Sequence, residues 1–219
     1  MKRICSPEEA VRNIHDGASL MIGGFMCCGQ PLRLVDALLA KGSKDLTVIC
    51  NDAGYPDRGV GKLIVAGRVK TLIASHIGLN TVAGTKMGSG ELAVELVPQG
   101  TLAERIRCGG AGLGGVLTPT GLGTEVEKGK RTVKMQDATF LLEAPLRADF
   151  ALIKANITDY YGNSFVAKSA KNFNAVMATA ARHTIVETDE LVDAGSLDPE
   201  RVVIPGVFIN DIVAGGSHG

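Results

Sequence analysis

A stretch near the amino terminus combines residue types that bring a backbone against a ligand. It runs Asp16-Gly17-Ala18-Ser19-Leu20-Met21-Ile22-Gly23-Gly24-Phe25-Met26-Cys27-Cys28-Gly29-Gln30-Pro31. The apolar run predicts a short buried strand over Leu20–Ile22, and the proline predicts the start of a helix. Glycines let a main chain approach closely and adopt positive φ, and a helix start offers unpaired N–H groups and the positive end of a dipole. We therefore expect an anionic or thioester ligand at this loop.

A second candidate site follows a strand predicted over 92–97. The residues Val97-Pro98-Gln99-Gly100-Thr101 indicate a strand end, a turn and the start of a helix. Open α/β sheets bind ligands at the carboxyl ends of their strands, and a side-chain amide there can donate to a developing oxyanion. The alternative, which the residues alone favour, is that Gln99 only completes a Pro-x-Gly turn.

Two other segments carry candidate ligand groups. Asn51 and Asp52 follow the apolar run Leu46–Cys50, and an asparagine at such a point either bonds a ligand amide or caps the turn. The glycine-rich run Gly109–Gly115 indicates a mobile or ligand-cradling loop. Its spacing breaks the dinucleotide fingerprint and no Gly-Lys-Ser/Thr follows it, so nucleotide binding of the dehydrogenase type is disfavoured.

The segments around these sites alternate between strand and helix patterns. We predict strands over 46–50, 71–74, 149–153 and 183–186, and helices from 7 to about 13 and over 31–40, 60–66, 101–108 and 168–181. Ser6 and Glu9 have the spacing of a capping box at the start of the first helix. This alternation predicts an α/β fold, an open, mostly parallel sheet with helices on both faces. Residues 131–142 predict a small antiparallel hairpin. We expect one domain over residues 1–219, with a hairpin excursion at 115–145 and a disordered tail at 215–219.

Composition and charge exclude several classes of protein. The 23 basic and 23 acidic side chains cancel, so no electrostatic footprint for nucleic acid or an anionic membrane follows. The start of the sequence lacks the apolar core of a signal peptide, and no apolar run is long enough to span a bilayer. The five cysteines are odd in number and lack metal-ligand spacing, so we expect reduced thiols, a cytoplasmic location and no metal site.

The glycine loop resembles the first signature of the family I coenzyme A transferases. That signature has Asp-Gly, two variable residues, three apolar residues, Gly-Gly-Phe, three variable residues, a glycine, one variable residue and a proline, and every fixed position is present here. The adjacent Cys27 and Cys28 depart from the small residues that are commoner in that loop. The resemblance extends to about Ile212 through Pro98-Gln99-Gly100-Thr101-Leu102, Arg105-Ile106-Arg107, Gly109-Gly110-Ala111-Gly112, Thr118-Pro119-Thr120-Gly121 and Asn172-Phe173-Asn174.

The resemblance implies the alpha subunit of a 3-oxoacid or short-chain fatty-acid transferase. In this family a glutamate of the beta half, in a Ser-Glu-Asn-Gly motif, forms an acyl anhydride and then a glutamyl-CoA thioester. No such motif occurs here, which implies a beta partner, most simply in an α₂β₂ assembly. Coenzyme A is then a substrate and no cofactor is bound permanently. The resemblance assigns oxyanion support to Gln99 and coenzyme A contacts to Gly23, Gly24, Phe25, Met26, Cys27, Cys28, Gly29 and Asn51. It also implies that the Gly109–Gly115 loop lies near this site.

Three alternatives stay open at this point. The same chemistry could act on 3-oxoadipate with succinyl-CoA, which requires an added cation for the second carboxylate, and Arg33, Arg58 and Arg107 are the candidates. A non-catalytic module that binds a coenzyme A ester is the alternative from another class. A self-sufficient enzyme would need a nucleophile of its own, for which Glu91 and Glu143 are the candidates.

Overall fold

The computed structural model describes residues 1–215 and places strands and helices alternately along most of them. The strands are β1 (Arg3–Ile4), β2 (Ser19–Ile22), β3 (Leu46–Cys50), β4 (Val69–Ala74), β5 (Ala93–Leu96), β6 (Val116–Thr118), β7 (Thr132–Met135), β8 (Ala138–Glu143), β9 (Ala148–Asp159), β10 (Ser164–Phe165), β11 (Ala181–Val192) and β12 (Asp211–Ala214). The α-helices are α1 (Pro7–Val11), α2 (Leu32–Lys41), α3 (Val60–Val65), α4 (Thr81–Ser89), α5 (Gln99–Gly110) and α6 (Lys171–Ala178).

The main sheet has the order β1-β12-β11-β9-β2-β3-β4-β5, with β10 attached to β9. Neighbours along this path pair in parallel, and β10 is antiparallel. The chain proceeds outward from β2 to β5 and later returns to place β9 on the other side of β2. The order therefore reverses between β2 and β9, and in open α/β sheets such a reversal opens a crevice at the carboxyl ends of the strands.

Helices cover both faces of the main sheet, as predicted. Successive strand residues point to opposite faces, so Leu20 and Ile22 join one buried cluster and Met21 the other. The first cluster includes apolar residues of α1 to α4, and the second includes those of α5 and α6. The two cores hold the strands in register and so fix the positions of the loops at the strand ends.

The predicted hairpin is confirmed and carries a third strand. The strands β7 and β8 pair antiparallel, and β6 pairs with the other edge of β8. Arg105 of α5 attaches this small sheet to the rest, because its Nε lies 3.9 Å from Oε2 of Glu143 in β8. Lys130 Nζ lies 2.6 Å from the other oxygen of Glu143, and Arg105 Nη1 lies 2.5 Å from Glu95 Oε1. Arg105 also donates to the carbonyl of Ala144 at 2.9 Å.

Several predicted boundaries were wrong for identifiable reasons. β9 and β11 have 12 residues each, because Lys154 and Glu187, which interrupt the apolar pattern, pair with each other inside the sheet. The helix predicted over 168–181 begins as a 3₁₀ turn and ends at Ala178. β1 and β12 were not predicted. The capping box of α1 is confirmed, with Ser6 and Glu9 bonding reciprocally.

The tail predicted as disordered falls mostly on residues 216–219, which lie outside the described residues. The expectation of a single domain over 1–219 stays a prediction. Among the helices of residues 1–215, none combines the length and apolar character that crossing a bilayer requires.

Candidate functional site

The glycine loop lies at the reversal point of the main sheet. It leaves the carboxyl end of β2, between β3 and β9, and Gly23 donates its N–H to the carbonyl of Leu152 at 3.0 Å. Gly23 and Gly24 are buried, whereas Phe25, Met26 and Cys28 are exposed. The loop therefore has a rigid base inside the fold and a tip that faces outward at the edge where such sheets bind ligands.

Asn174 explains why the base of this loop needs glycine. This fully buried residue of α6 accepts the N–H of Lys154 at 2.9 Å and donates to the carbonyl of Gly29 at 2.9 Å. A Cβ on Gly23 would overlap Asn174 Oδ1, and one on Gly29 would crowd Ala170. Both glycines are therefore required by close packing of the loop against α6.

The tip is a two-residue hairpin turn between Phe25 and Cys28. The N–H of Phe25 donates to the carbonyl of Cys28 at 3.0 Å, and the N–H of Cys28 donates back at 2.8 Å. The central residues Met26 and Cys27 have φ of 46° and 68°. Such turns favour Asn-Gly, because both central residues have positive φ. Side chains in this conformation cost about 1–2 kcal/mol each, so contacts elsewhere must hold the tip in place.

The helix that follows the loop does not offer its first N–H groups to a ligand, contrary to the sequence expectation. Glu187 Oε2 accepts the N–H groups of Arg33 and Leu34 at 2.9 and 3.0 Å. Glu187 is buried, and Lys154 Nζ lies 3.2 Å from its other oxygen. A carboxylate of the protein thus occupies the anion position of α2, so the first N–H groups of this helix are not available to a ligand.

Asn51 and Gln99 meet at the same edge of the sheet. Asn51 follows β3, Gln99 opens α5 after β5, and Gln99 Nε2 donates to Asn51 Oδ1 at 2.7 Å. Asn51 Nδ2 in turn donates to Asp52 Oδ2 at 2.7 Å, and Ser75 donates its hydroxyl to the carbonyl of Asn51 at 2.7 Å. Asn51 and Asp52 are buried and Gln99 is exposed. The network presents one reachable amide, that of Gln99.

Asp52 connects this network to the glycine loop. Its Oδ2 accepts the N–H of Met26 at 2.9 Å, and its Oδ1 accepts the N–H of Gly54 at 2.9 Å. The structure therefore brings the loop of residues 23–29, Asn51 and Gln99 together at one edge, although they are up to 76 positions apart in the chain.

The glycine-rich run Gly109–Gly115 lies elsewhere, which corrects the expectation that it borders the site. Gly109 and Gly110 form the last turn of α5, where added Cβ atoms would overlap the carbonyl of Leu146 and the hydroxyl of Thr179. The cavity they line, about 470 Å³, also includes the first residues of β2, β9 and β11. A helix after a strand runs back to the opposite edge, so these glycines serve packing at the amino end of the sheet.

The two glutamates considered as internal nucleophiles also lie outside the site. Glu143 is buried and its Oε1 accepts from Lys130 Nζ at 2.6 Å. Glu91 precedes the amino end of β5 and accepts from the Ser89 hydroxyl at 2.9 Å. Neither carboxylate reaches the edge that carries Gln99.

The loop cysteines are free thiols in different surroundings. Cys28 is exposed, and its Sγ lies 3.3 Å from Ser169 Oγ. Cys27 is half-buried, and this burial raises the pKa of its thiol. Cys50, beside the hydrogen-bond network of Asn51 and Asp52, is buried, and desolvation raises its thiol pKa strongly.

Within residues 1–215, no three His, Cys, Asp or Glu side chains converge as a metal site would require.

Sequence reasoning missed three polar residues that shape the site. Asn174 was noted only as part of the family resemblance, and Glu187 follows the strand predicted over 183–186. Both lie far along the chain from the segments that they contact, the glycine loop and the start of α2. Asp52 was noticed beside Asn51 without a role. A signal did exist for Glu187, because a charged residue inside an otherwise apolar strand pattern requires a partner.

The chain matches a known protein family over nearly its whole length. The sequence profile of the Coenzyme A transferase family matches residues 4–215. The chain is 54% identical to the alpha subunit of the acetate CoA-transferase of Escherichia coli (strain K12) over 211 residues, covering 96% of both chains. It is 54% identical over 198 residues to the acetoacetyl-CoA:acetate/butyrate CoA transferase alpha subunit of Clostridium acetobutylicum, covering 90% of this chain and 91% of the relative. It is 46% identical over 207 residues to the corresponding chain of the 3-oxoadipate CoA-transferase of Acinetobacter baylyi, covering 94% and 91%.

Proposed function

This chain belongs to the coenzyme A transferase family, as the alpha subunit of a two-subunit enzyme, and we propose that its enzyme moves coenzyme A between a short-chain acyl-CoA or 3-oxoacyl-CoA and a free carboxylic acid. Acetoacetyl-CoA or butyryl-CoA is the proposed donor and acetate the proposed acceptor. The high identity to relatives named for these acids supports this choice.

One observation carries the proposal: a reachable amide and a close-packed glycine loop share the reversal point of the sheet. Gln99 is exposed while its partner Asn51 is buried, so one N–H of its amide is committed and the other faces outward. The tip residues Phe25 to Cys28 face the same edge. An amide donor beside a backbone surface suits a thioester whose carbonyl oxygen gains charge during transfer.

The nucleophile in this proposal is a glutamate of the beta subunit. Its carboxylate oxygen attacks the thioester carbonyl carbon, the C–S bond breaks, and an acyl anhydride and the coenzyme A thiolate form. The thiolate then attacks the glutamyl carbonyl of the anhydride, giving a glutamyl-CoA thioester and releasing the first acid. The acceptor carboxylate then attacks the glutamyl-CoA thioester, which releases the coenzyme A thiolate and forms a new anhydride. The thiolate attacks the acyl carbonyl of this anhydride, giving the new acyl-CoA and the free glutamate. A covalent route of this kind divides one difficult exchange into easier halves.

The residues of this chain act on the charge that develops in these steps. In each addition the carbonyl oxygen becomes an oxyanion, and the outward N–H of Gln99 is the proposed donor to it. Residues Gly23 to Gly29 are the proposed contact surface for coenzyme A, with Asn51 holding Gln99 from behind. No metal or bound cofactor is part of this proposal.

A second candidate, transfer between succinyl-CoA and 3-oxoadipate, is favoured by the position of one arginine. Arg33 donates to the carbonyl of Ala214 at 2.6 Å, and Arg107 pairs with Glu104. Arg58 is exposed next to the loop tip, with its carbonyl 3.9 Å from Cys27 Sγ. The guanidinium of Arg58, carried by a residue that borders the tip, is the proposed partner of the second carboxylate of a dicarboxylic acid.

The proposed assembly is α₂β₂, and the proposed location is the cytoplasm. The absence of a Ser-Glu-Asn-Gly motif from the sequence supports a partner that supplies the nucleophile. The five free cysteines, all within the described residues, support a reducing compartment.

The test measures transfer from acetoacetyl-CoA to acetate by this chain alone and after co-expression with a beta-type subunit. Activity in the mixture and none in the single chain would support the split site. Activity of the rigorously purified chain would place the nucleophile here and contradict the proposal. Binding of acetoacetyl-CoA by the mixture without transfer would instead favour a non-catalytic module. Parallel assays with 3-oxoadipate and succinyl-CoA, with and without Arg58→Ala, decide between the two acids.

A further inference from the structure

The carboxylate of Asp52 contacts both halves of the candidate site. Met26, at the strained tip of the glycine loop, donates its N–H to Oδ2 at 2.9 Å, and the side chain of Asn51 donates to the same oxygen at 2.7 Å. Asp52 is 2% exposed, and a buried carboxylate must have its oxygens satisfied by donors. Three donors surround it, the third being the N–H of Gly54 at 2.9 Å.

An ionised carboxylate can only accept hydrogen bonds, and this fixes the direction of the next two bonds. Asn51 must turn its NH₂ group toward Asp52, which leaves its carbonyl oxygen for Gln99. Gln99 must then turn its own NH₂ group toward Asn51, as the 2.7 Å contact requires. Since Gln99 is exposed, the second proton on that nitrogen remains for a ligand. The carboxylate of Asp52 therefore determines the orientation of the Gln99 amide through two successive hydrogen bonds, with Asn51 between them.

The same carboxylate offsets the conformational cost of the loop tip. Met26 and Cys27 both have positive φ without being glycine, a conformation that persists only where other contacts hold it. The bond from Met26 N–H to Asp52 is a charge-assisted one, which is stronger than a neutral bond.

We propose that Asp52 is a positioning residue that holds the loop tip and the Gln99 amide in one fixed arrangement. This inference rests on the proposed function for its effect on transfer, since Asp52 itself is buried and does not touch a substrate. The structural claim, that Asp52 is linked to Gln99 through Asn51, can be tested on the isolated chain without an activity assay.

The kinetic test uses the complex of this chain with its beta partner and compares wild type, Asp52→Asn, Gln99→Ala and the double variant. Asparagine has one acceptor oxygen, so it must turn an NH₂ group against a donor in either orientation. We expect Asp52→Asn to lower kcat by roughly 10- to 100-fold, with KM for the acid unchanged. The effect of Asp52 on kcat is proposed to pass through Gln99, so kcat of the double variant should be no more than about threefold below that of Gln99→Ala. The effect of Asp52 on the loop tip should appear instead as a raised KM for acetoacetyl-CoA. Losses that multiply, or an unchanged kcat in Asp52→Asn, would overturn the inference.

The second test uses the full chain alone and NMR. Asp52→Asn is expected to shift the side-chain amide resonances of Asn51 and Gln99 and to speed hydrogen exchange at the N–H of Met26. Asn51→Ala, which breaks the relay and keeps the loop contact, should shift Gln99 and leave Met26 protected. Unmoved Gln99 resonances in Asp52→Asn would overturn the inference, and so would unchanged exchange at the N–H of Met26. The exposed Asp57→Asn is the matched control. A wild-type complex that transfers no coenzyme A would contradict the proposed function, and the NMR result would still decide the relay. If Asp52→Asn does not fold, Asn51→Ala decides it.

Discussion

The carboxylate of Glu187 caps the helix that follows the glycine loop, with its Oε2 3.0 Å from the backbone nitrogen of Leu34. The residue before that helix, Pro31, has no side chain that could do this. Lys154 balances the buried charge and also lies 2.5 Å from Asp189 Oδ1. The cap thus comes from β11, on the other side of the reversal point from β3. It connects α2 to the half of the sheet that contains β9, β11 and β12.

Removing this cap should destabilise the fold. Glu187→Ala leaves the buried N–H of Leu34, the N–H of Arg33 and part of the Lys154 charge without a partner. We expect a loss of roughly 3 kcal/mol in the free energy of unfolding. Urea denaturation of the isolated chain measures it. Glu190→Ala, an exposed glutamate on the same strand, should change stability by no more than about 0.5 kcal/mol. Equal losses in the two variants would contradict the assigned role.

Gln99→Ala should lower kcat of the complex by about 10²–10³-fold, as expected for one lost oxyanion donor. The side chain is exposed, so its removal should leave the melting temperature of the chain nearly unchanged. Steady-state kinetics with acetoacetyl-CoA and acetate measure the effect. Gln136→Ala, in the hairpin turn of the small sheet, is the matched control and should retain full turnover. Undiminished kcat in Gln99→Ala would remove this residue from the mechanism.

Gly23→Ala should both destabilise the chain and impair transfer. The added Cβ would overlap Asn174 Oδ1, so Asn174 must move and its bonds to the loop weaken, at a cost of about 1–3 kcal/mol. Gly84→Ala is the control, because nothing lies within 4 Å of a Cβ in that position of α4. It should stabilise the chain by roughly 0.5–1 kcal/mol. Calorimetry compares both variants, and a Gly23→Ala chain as stable as wild type would show that the loop packs differently.

The loop thiols should react with iodoacetamide in a defined order. The thiolate is the reactive form, and burial raises the pKa of Cys27, so less of it is thiolate at a given pH. We expect the exposed Cys28 to react first at pH 8, Cys27 more slowly and increasingly as the pH rises, and the buried Cys50 not at all in the folded chain. Mass spectrometry of peptides measures the extent of alkylation at each cysteine over time. Coenzyme A should protect Cys28 if the loop binds it; faster labelling of Cys27 would contradict its burial in the fold.

The change in stability with pH should depend on Ser19. Its hydroxyl and N–H donate to Asp149 Oδ2 at 2.7 and 3.0 Å, and these bonds hold the pKa of Asp149 below its ordinary value. A carboxyl with a depressed folded-state pKa stabilises the fold above its unfolded-state pKa of about 3.9, and this contribution is lost as the pH falls through the folded-state value. Ser19→Ala should therefore differ most from wild type near pH 7 and least in strong acid.

Urea denaturation between pH 2 and pH 7 checks this dependence. Ser196→Ala, at an exposed serine, should differ from wild type by the same small amount throughout. A Ser19→Ala difference that stays constant with pH would mean that the bond does not act through the charge of Asp149.

Local patterns in the sequence were sufficient for the fold class and for the principal site segments. The apolar run of β3 has the predicted bounds, because a strand buried on both faces is apolar throughout. The hairpin of β7 and β8 and the capping box of α1 were also readable, since each depends on neighbours within a few residues. The glycine loop was identified because close packing admits no side chain at Gly23.

Contacts between distant segments could be decided only by the tertiary structure. The sequence suggested that α2 would offer its amino terminus to a ligand, and the fold places Glu187 there from 153 positions away. It suggested that Gly109–Gly115 would border the site, and the length and direction of α5 carry that run to the opposite edge. Asp52 acquired a role only once β2 and β3 were side by side. Propensity and periodicity act over one or two turns, whereas a hydrogen bond between loops depends on strand order, which single-segment patterns do not encode.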